Sequence, residues 1–240
     1  ETTMVQLCVF DLDGTLVNTL KDLADSVNYA LSIHGLPALT EQEVSAIVGH
    51  SIGYMCEHAV PPERAAEAKK VLETFQTYYS AHCCDTSRPY DGVQRAVERI
   101  RQAGVKTAVV SNKPHADAMK VIETFFPRDC FNMVLGRMQK FALKPAPDSL
   151  AFVLDFFGVK KEDAVYVGDS EVDVEFARNA GLRCVSVSWG FRTRGELLGS
   201  IGSIDDPTHD LDNLIALFGF PDEFDPDALR EAQTLPAHPD

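Results

Sequence analysis

The chain has 240 residues, 45% of them apolar, with a formal net charge of −14, which is enough to bury a core in one or two domains. The acidic excess argues against unassisted binding to nucleic acid or an anionic membrane, since both need basic patches. No apolar stretch of about 18 residues and no signal pattern is present, so no membrane span is expected and the cytoplasm is the expected compartment.

The first predicted element is a strand over residues 4 to 10, an apolar run that ends in Asp11-Leu-Asp-Gly-Thr-Leu16. Two carboxylates at the end of a buried strand are costly without a cation or a hydrogen-bonding partner. Gly14 allows a sharp turn, so Asp11 and Asp13 can point differently, one as a nucleophile and the other as an acid/base. A carboxylate that attacks phosphorus forms an aspartyl phosphate. A plain Asp-Gly turn is the alternative.

Residues 17 to 85 read as helical, with no strand pattern interrupting them. Leu20, Leu23, Ala24, Val27, Ala30 and Leu31 keep helical spacing up to Gly35; Thr40 and Glu43 form a candidate capping box; Glu63 to Ala81 reads as one long helix after Pro61-Pro62. The Gly49-His-Ser-Ile-Gly53 loop is either a substrate-facing loop or a plain helix connection.

Further strands are predicted over 105–110, 131–135, 164–167 and 183–187, mostly separated by helix-like stretches. That alternation argues for a parallel sheet with crossover helices, in which active residues collect at the carboxyl ends of strands. Ser111-Asn112 closes the 105–110 strand with a hydroxyl and an amide suited to a phosphate oxygen, although taken alone a helix cap or turn is the ordinary reading. Lys144 precedes Pro145, which restricts its backbone to extended conformations and holds a cation in place, although a solvated lysine is the ordinary reading. Gly168-Asp-Ser-Glu-Val-Asp173 follows the 164–167 strand and opens a helix that runs to Gly181. Asp169 and Asp173 fit either a metal role or a capped, acidic first turn.

Together these segments resemble the haloacid dehalogenase superfamily, whose four motifs are matched in order by Asp11-Leu-Asp-Gly-Thr-Leu16, Ser111-Asn112, Lys144-Pro145 and Gly168-Asp-Ser-Glu-Val-Asp173. Val110-Ser-Asn-Lys-Pro114, Lys144-Pro-Ala-Pro-Asp148 and Val185-Ser-Val-Ser-Trp-Gly190 look like its phosphoglycolate phosphatase branch. The resemblance implies a Rossmann-like α/β core over residues 1–16 and 86–220 with an inserted helical cap over 17–85, and the composition of 221–240, acidic and proline-containing with little apolar periodicity, reads as an extended tail. It also implies a Mg²⁺-dependent phosphatase acting on a small phosphorylated metabolite.

In that reading Asp11 is the nucleophile and a metal ligand, Asp13 the acid/base whose backbone carbonyl also faces the metal, and Asp169 a second carboxylate ligand. Ser111 and Lys144 hold the phosphoryl group, Asn112 binds substrate or orients the group, and Thr15 and Asp173 support the site. Electrostatics points independently to a cation: carboxylates about 4 Å apart repel by about 4 kcal/mol at an effective dielectric of about 20. Oxygen-only ligands favour Mg²⁺ over zinc.

A phosphomutase or a pyrophosphatase on the same fold is the alternative, and a noncatalytic receiver-like module a more distant one; Thr15, where sugar-phosphate mutases of the family usually carry valine, favours the phosphatase. A monomer or a homodimer is expected. The six cysteines form no C-x-x-C pattern and read as reduced thiols.

Overall fold

The computed structural model describes residues 5–193 and 195–197. Its strands are β1 (Leu7–Phe10), β2 (Val17–Asn18), β3 (Arg88–Pro89), β4 (Lys106–Pro114), β5 (Met133–Arg137), β6 (Ala164–Gly168) and β7 (Arg183–Ser186). Five of them form a sheet in the order β5-β4-β1-β6-β7, with every pairing parallel. β1 lies at its centre and all four of its residues are buried, which is why it reads as an unbroken apolar run.

Successive side chains of a strand point to opposite faces, and the two halves of the core follow β1 in this way. Cys8 and Phe10 pack with α5 (Val93–Gln102) and α6 (His115–Phe125), while Leu7 and Val9 pack with α7 (Asp148–Phe157) and α8 (Glu171–Ala180). Register then aligns the motifs. Phe10 stands opposite Val109 of β4 and Val167 of β6, so Asp11, Ser111 and Asp169 stand within one or two residues of the same level.

The remaining helices, α1 (Leu20–Ile33), α2 (Glu41–Ile47), α3 (Ile52–Ala59) and α4 (Ala68–His82), pack chiefly on one another. α1 ends before Gly35, whose φ of +65° suits a residue without a Cβ. The Thr40–Glu43 capping box forms as read: Glu43 N donates to Thr40 Oγ1 at 3.2 Å and Thr40 N donates to Glu43 Oε2 at 2.7 Å.

Two expectations for this segment are corrected. The stretch from Glu63 to Ala81 is not one helix: a 3₁₀ turn over Pro62–Glu67 precedes α4, because Arg64 leaves helical geometry (φ −118°, ψ 17°). A strand also lies within it, since Val17 and Asn18 of β2 pair antiparallel with Pro89 and Arg88 of β3. This ribbon joins the entry to and exit from the helical segment. Buried Asp22 on α1 secures it, accepting from Thr86 N at 2.9 Å, Ser87 N at 2.8 Å and Ser87 Oγ at 2.6 Å.

The strand reading also falls short at one end: β4 runs on through Ser111 and Asn112 to Pro114, and Pro114 rather than Ser111 stands before α6. The 221–240 tail and the last part of the 86–220 core lie outside the described residues. No helix among the described residues is long and apolar enough to cross a membrane.

Candidate active site

Asp11 continues the line of β1, its N–H donating to Val167 O at 2.8 Å, and its buried carboxylate meets Lys144 Nζ at 2.9 Å. Lys144 comes from the loop before α7 and is held there by Asn112: Lys144 N donates to Asn112 Oδ1 at 2.8 Å and Asn112 Nδ2 donates to Lys144 O at 3.1 Å. Both ends of the Asn112 amide are thus engaged by the Lys144 backbone, which gives Asn112 an orienting contact. The Lys144–Pro145 peptide is cis.

Lys144 Nζ also meets Asp173 Oδ1 at 2.7 Å and the Tyr166 hydroxyl at 2.9 Å. Asp173 is saturated. Its other oxygen accepts from Asp169 N and Ser170 N at 3.1 Å and from Ser170 Oγ at 2.9 Å, so it caps α8 and braces the lysine together. The capping and site readings of this segment therefore coexist.

Asp169 accepts from Thr15 Oγ1 at 3.2 Å and from Phe191 N at 2.8 Å. The backbone is drawn unusually close around it. A Cβ on Gly14, which has φ +82°, would fall 2.3 Å from Asp169 Oδ2, and one on Gly190 would fall 2.3 Å from Asp169 Cβ.

Oxygens of Asp11, Asp169 and Asp173 lie within 4.8 Å of one another, and all three residues are buried. Lys144 meets two of these three carboxylates, Asp11 and Asp173. Burial and then Asp173 push the Asp11 carboxyl up to about 7, even though Lys144 opposes the shift. Burial, Asp173 and Asp11 likewise raise Asp169 well above the carboxylate range. Asp173 moves the other way: against the effect of burial, Lys144 and its hydrogen bonds hold it low. Lys144 is itself raised, because Asp11 and Asp173 outweigh its burial. The surplus negative charge and all-oxygen donors of Asp11 and Asp169 suit a hard divalent cation.

Asp13 lines an open cleft together with Asp11, Ser111, Lys113 and the loop Gly49, His50 and Ser51. Its Oδ1 accepts from Thr19 Oγ1 at 2.7 Å, and both oxygens accept from buried Lys113 Nζ, at 2.9 and 3.1 Å. Lys113 Nζ also contacts the hydroxyl of Tyr79 on α4. Burial disfavours the Lys113 charge, but Asp13 and Tyr79 reverse the balance and raise its pKa. Ser111 Oγ accepts from Lys113 N at 3.2 Å, which leaves its own proton to be donated.

Residues 8–187 match the haloacid dehalogenase-like hydrolase family. The chain belongs to that family. It is 34% identical over 197 residues to a phosphoglycolate phosphatase of Haemophilus influenzae strain 86-028NP, covering 79% of this chain and 88% of the relative. A phosphoglycolate phosphatase of Mesorhizobium japonicum is 34% identical over 192 residues, with 78% and 85% covered. Among solved structures, one from Lactobacillus delbrueckii subsp. bulgaricus superposes with a TM-score of 0.83 at 29% identity, covering 90% of this chain and 98% of the other. A predicted phosphoglycolate phosphatase from Haemophilus somnus 129PT gives 0.76 at 30% identity, with 84% and 93% covered.

In this member of the family, Asp11, Lys144, Asp169, Asp173, Thr15 and Asn112 form one connected cluster, while Asp13 and Ser111 face the cleft beside it. Sequence reasoning missed Lys113, Tyr79, Tyr166 and Arg192. Two of these carried a signal: Tyr166 is a phenol inside a buried strand, where its hydroxyl needs a partner, and Tyr79 lies one helical turn from Phe75. His115, close to Ser111, has a structural place, its Nδ1 accepting from Gly136 N at 3.2 Å. Burial pushes the Cys83 thiol, beside Cys84, up to about 12, as expected of an inert thiol.

Proposed function

We propose that this chain is a Mg²⁺-dependent phosphatase that hydrolyses a small anionic phosphate monoester of the phosphoglycolate type by way of an aspartyl phosphate on Asp11. The observation that carries the reading is the contact between buried Asp11 and Lys144 beside Asp169, at a cleft that Asp13 and Ser111 also line. The names of the relatives, phosphoglycolate phosphatases, support the substrate class.

A carboxylate oxygen of Asp11 attacks phosphorus as the ester P–O bond breaks, and the leaving oxygen takes a proton from Asp13. Asp13 then withdraws a proton from the water that attacks the acyl phosphate, releasing phosphate and regenerating Asp11. Lys144 and Ser111 hold phosphoryl oxygens, Asp173 and Asn112 keep Lys144 in place, and Lys113 with Thr19 aims Asp13. Asp11, Asp169 and the Asp13 backbone carbonyl would hold Mg²⁺, which when bound offsets the charge of the carboxylates and the phosphate. The helical segment 17–85 acts as a cap, and its Gly49–Ser51 loop faces the substrate.

The test measures phosphate release from phosphoglycolate, inorganic pyrophosphate and hexose phosphates with Mg²⁺, together with mass-spectrometric trapping of the phosphoryl group. Phosphoglycolate should have the highest kcat/KM, and Asp11→Asn should abolish both turnover and trapping. A tenfold or greater preference for pyrophosphate or a hexose phosphate, or phosphate trapped on another residue, would overturn the reading. Isomerisation of β-glucose 1-phosphate faster than phosphate release would establish a mutase instead.

A further inference from the structure

The loop that follows β7 carries a buried arginine whose guanidinium joins two parts of the fold. Arg192 Nε donates to Glu171 Oε2 at 2.9 Å and Nη2 to Glu171 Oε1 at 3.1 Å. On the other side, Nη1 donates to Ser45 O at 2.7 Å, and Nη2 to Val48 O at 3.0 Å and Ala46 O at 3.4 Å. Those carbonyls belong to the last turn and C-cap of α2, where no intrahelical donor is left and the dipole favours a cation. Glu171 opens α8, where the dipole favours an anion. A planar fork of five N–H donors suits such a junction, and a lysine cannot reproduce it.

Neighbouring residues extend the link. Phe191 O accepts from Ser45 Oγ at 3.1 Å while Phe191 N donates to Asp169, and Trp189 Nε1 donates to Thr15 O at 3.0 Å. Immediately beyond the carbonyls that Arg192 holds, Gly49, His50 and Ser51 line the cleft, and a Cβ on Gly49 would come within 3.6 Å of Ser170 Oγ and 3.9 Å of Arg192 Nη2.

We infer that Arg192 is a positioning residue for substrate binding: it straps the C-terminal end of α2 to the first residue of α8 and so sets the Gly49–Ser51 loop over the cleft. The inference rests on the phosphatase reading above, in which that loop faces the ester. Arg192 itself does not line the cleft, so its effect falls on binding rather than on phosphoryl transfer.

The test uses Arg192→Gln and Arg192→Lys in the full chain, with steady-state kinetics on phosphoglycolate and hydrogen exchange of residues 45–51 without substrate. Arg192→Gln should raise KM about tenfold with kcat within about threefold, and Arg192→Lys should fall between it and the wild type. Exchange should quicken over 45–51 and stay unchanged in β1 and β6. Unchanged KM and exchange in folded Arg192→Gln, or a loss confined to kcat, would overturn the strap. If Arg192→Gln fails to fold by circular dichroism, Arg192→Lys and Glu171→Gln carry the same two readouts. A wild type that turns over no phosphate ester would refute the phosphatase reading alone, and the exchange result would still judge the strap.

Discussion

Replacing Gly190 by alanine adds one carbon atom, and the geometry states what that atom meets. Its Cβ would lie 2.3 Å from Asp169 Cβ, 2.4 Å from Gly14 O and 2.5 Å from Asp169 Oδ2. Carbon atoms normally approach to about 3.5–4.0 Å, so Asp169 or the Gly14 backbone must retreat by about 1 Å. Gly190 does not have a positive φ, so the penalty is steric rather than conformational. Overpacking of this kind costs about 1–3 kcal/mol, which in a protein of this size lowers Tm by about 2–4 °C per kcal/mol. A displacement of about 1 Å at a reacting centre costs about 10²-fold in rate. The assay is a Mg²⁺ titration of phosphatase activity alongside a thermal melt, with Gly53→Ala as control because its Cβ would meet only Ser51 Oγ, at 3.7 Å. Gly190→Ala should lose activity and require more Mg²⁺, and Gly53→Ala should do neither. Wild-type activity and Mg²⁺ dependence in folded Gly190→Ala would refute the claim that the close backbone fixes Asp169.

Lys113→Met should lower kcat about 10–100-fold with a poor leaving group and less with 4-nitrophenyl phosphate, because it leaves Asp13 held by Thr19 alone; equal losses on both esters would remove Lys113 from its aiming role. The raised carboxyls of Asp11 and Asp169 bind protons that the unfolded chain releases, so without a divalent ion stability should fall as pH rises from the ordinary carboxylate range through about 7. Mg²⁺ should therefore raise Tm more at pH 8 than at pH 5, by up to about 2.7 kcal/mol of stability at a hundredfold excess over Kd, as calorimetry would show. Against the effect of burial, hydrogen bonds from Ser87 and Thr86 hold Asp22 below its usual value, so its contribution is present above the unfolded carboxylate pKa and is lost as pH falls through the depressed one. Asp22→Asn should cost about 1–3 kcal/mol in urea melts at neutral pH and lose most of that difference in acid.

Much of the sheet was legible because β1, β6 and the 108–110 stretch of β4 are buried and apolar, and the polar residues that follow them stand out against that background. Alternating strands and helices put Asp11 and Asp169 at carboxyl ends of parallel strands, whereas Lys144, on a loop before α7, joined them in the sequence reading through its place in the motif series. The contacts of Lys113 and Arg192 did not. Each draws its meaning from a residue a hundred or more positions away, Lys113 from Asp13 and Arg192 from Ser45 and Val48, and no local pattern encodes such a pairing. The break at Arg64 was hidden for another reason: helical composition continues across it, and only the backbone dihedrals depart. A strand of two residues, like β2, is too short for any alternation to register.

The β2–β3 ribbon has a consequence for how the chain could change. Because Val17 and Asn18 lie beside Pro89 and Arg88, about seventy residues leave and rejoin the fold at what is spatially one point, like a bead hung on a loop of thread. A segment of different length or shape, provided it began and ended on the same short pair, would leave the register of all five parallel strands untouched. The contacts that such a change would have to keep are few and countable: Asp22 with Thr86 and Ser87 at the seam, and Thr19 with Asp13, Tyr79 with Lys113 and the end of α2 with Arg192 where the segment meets the rest of the fold.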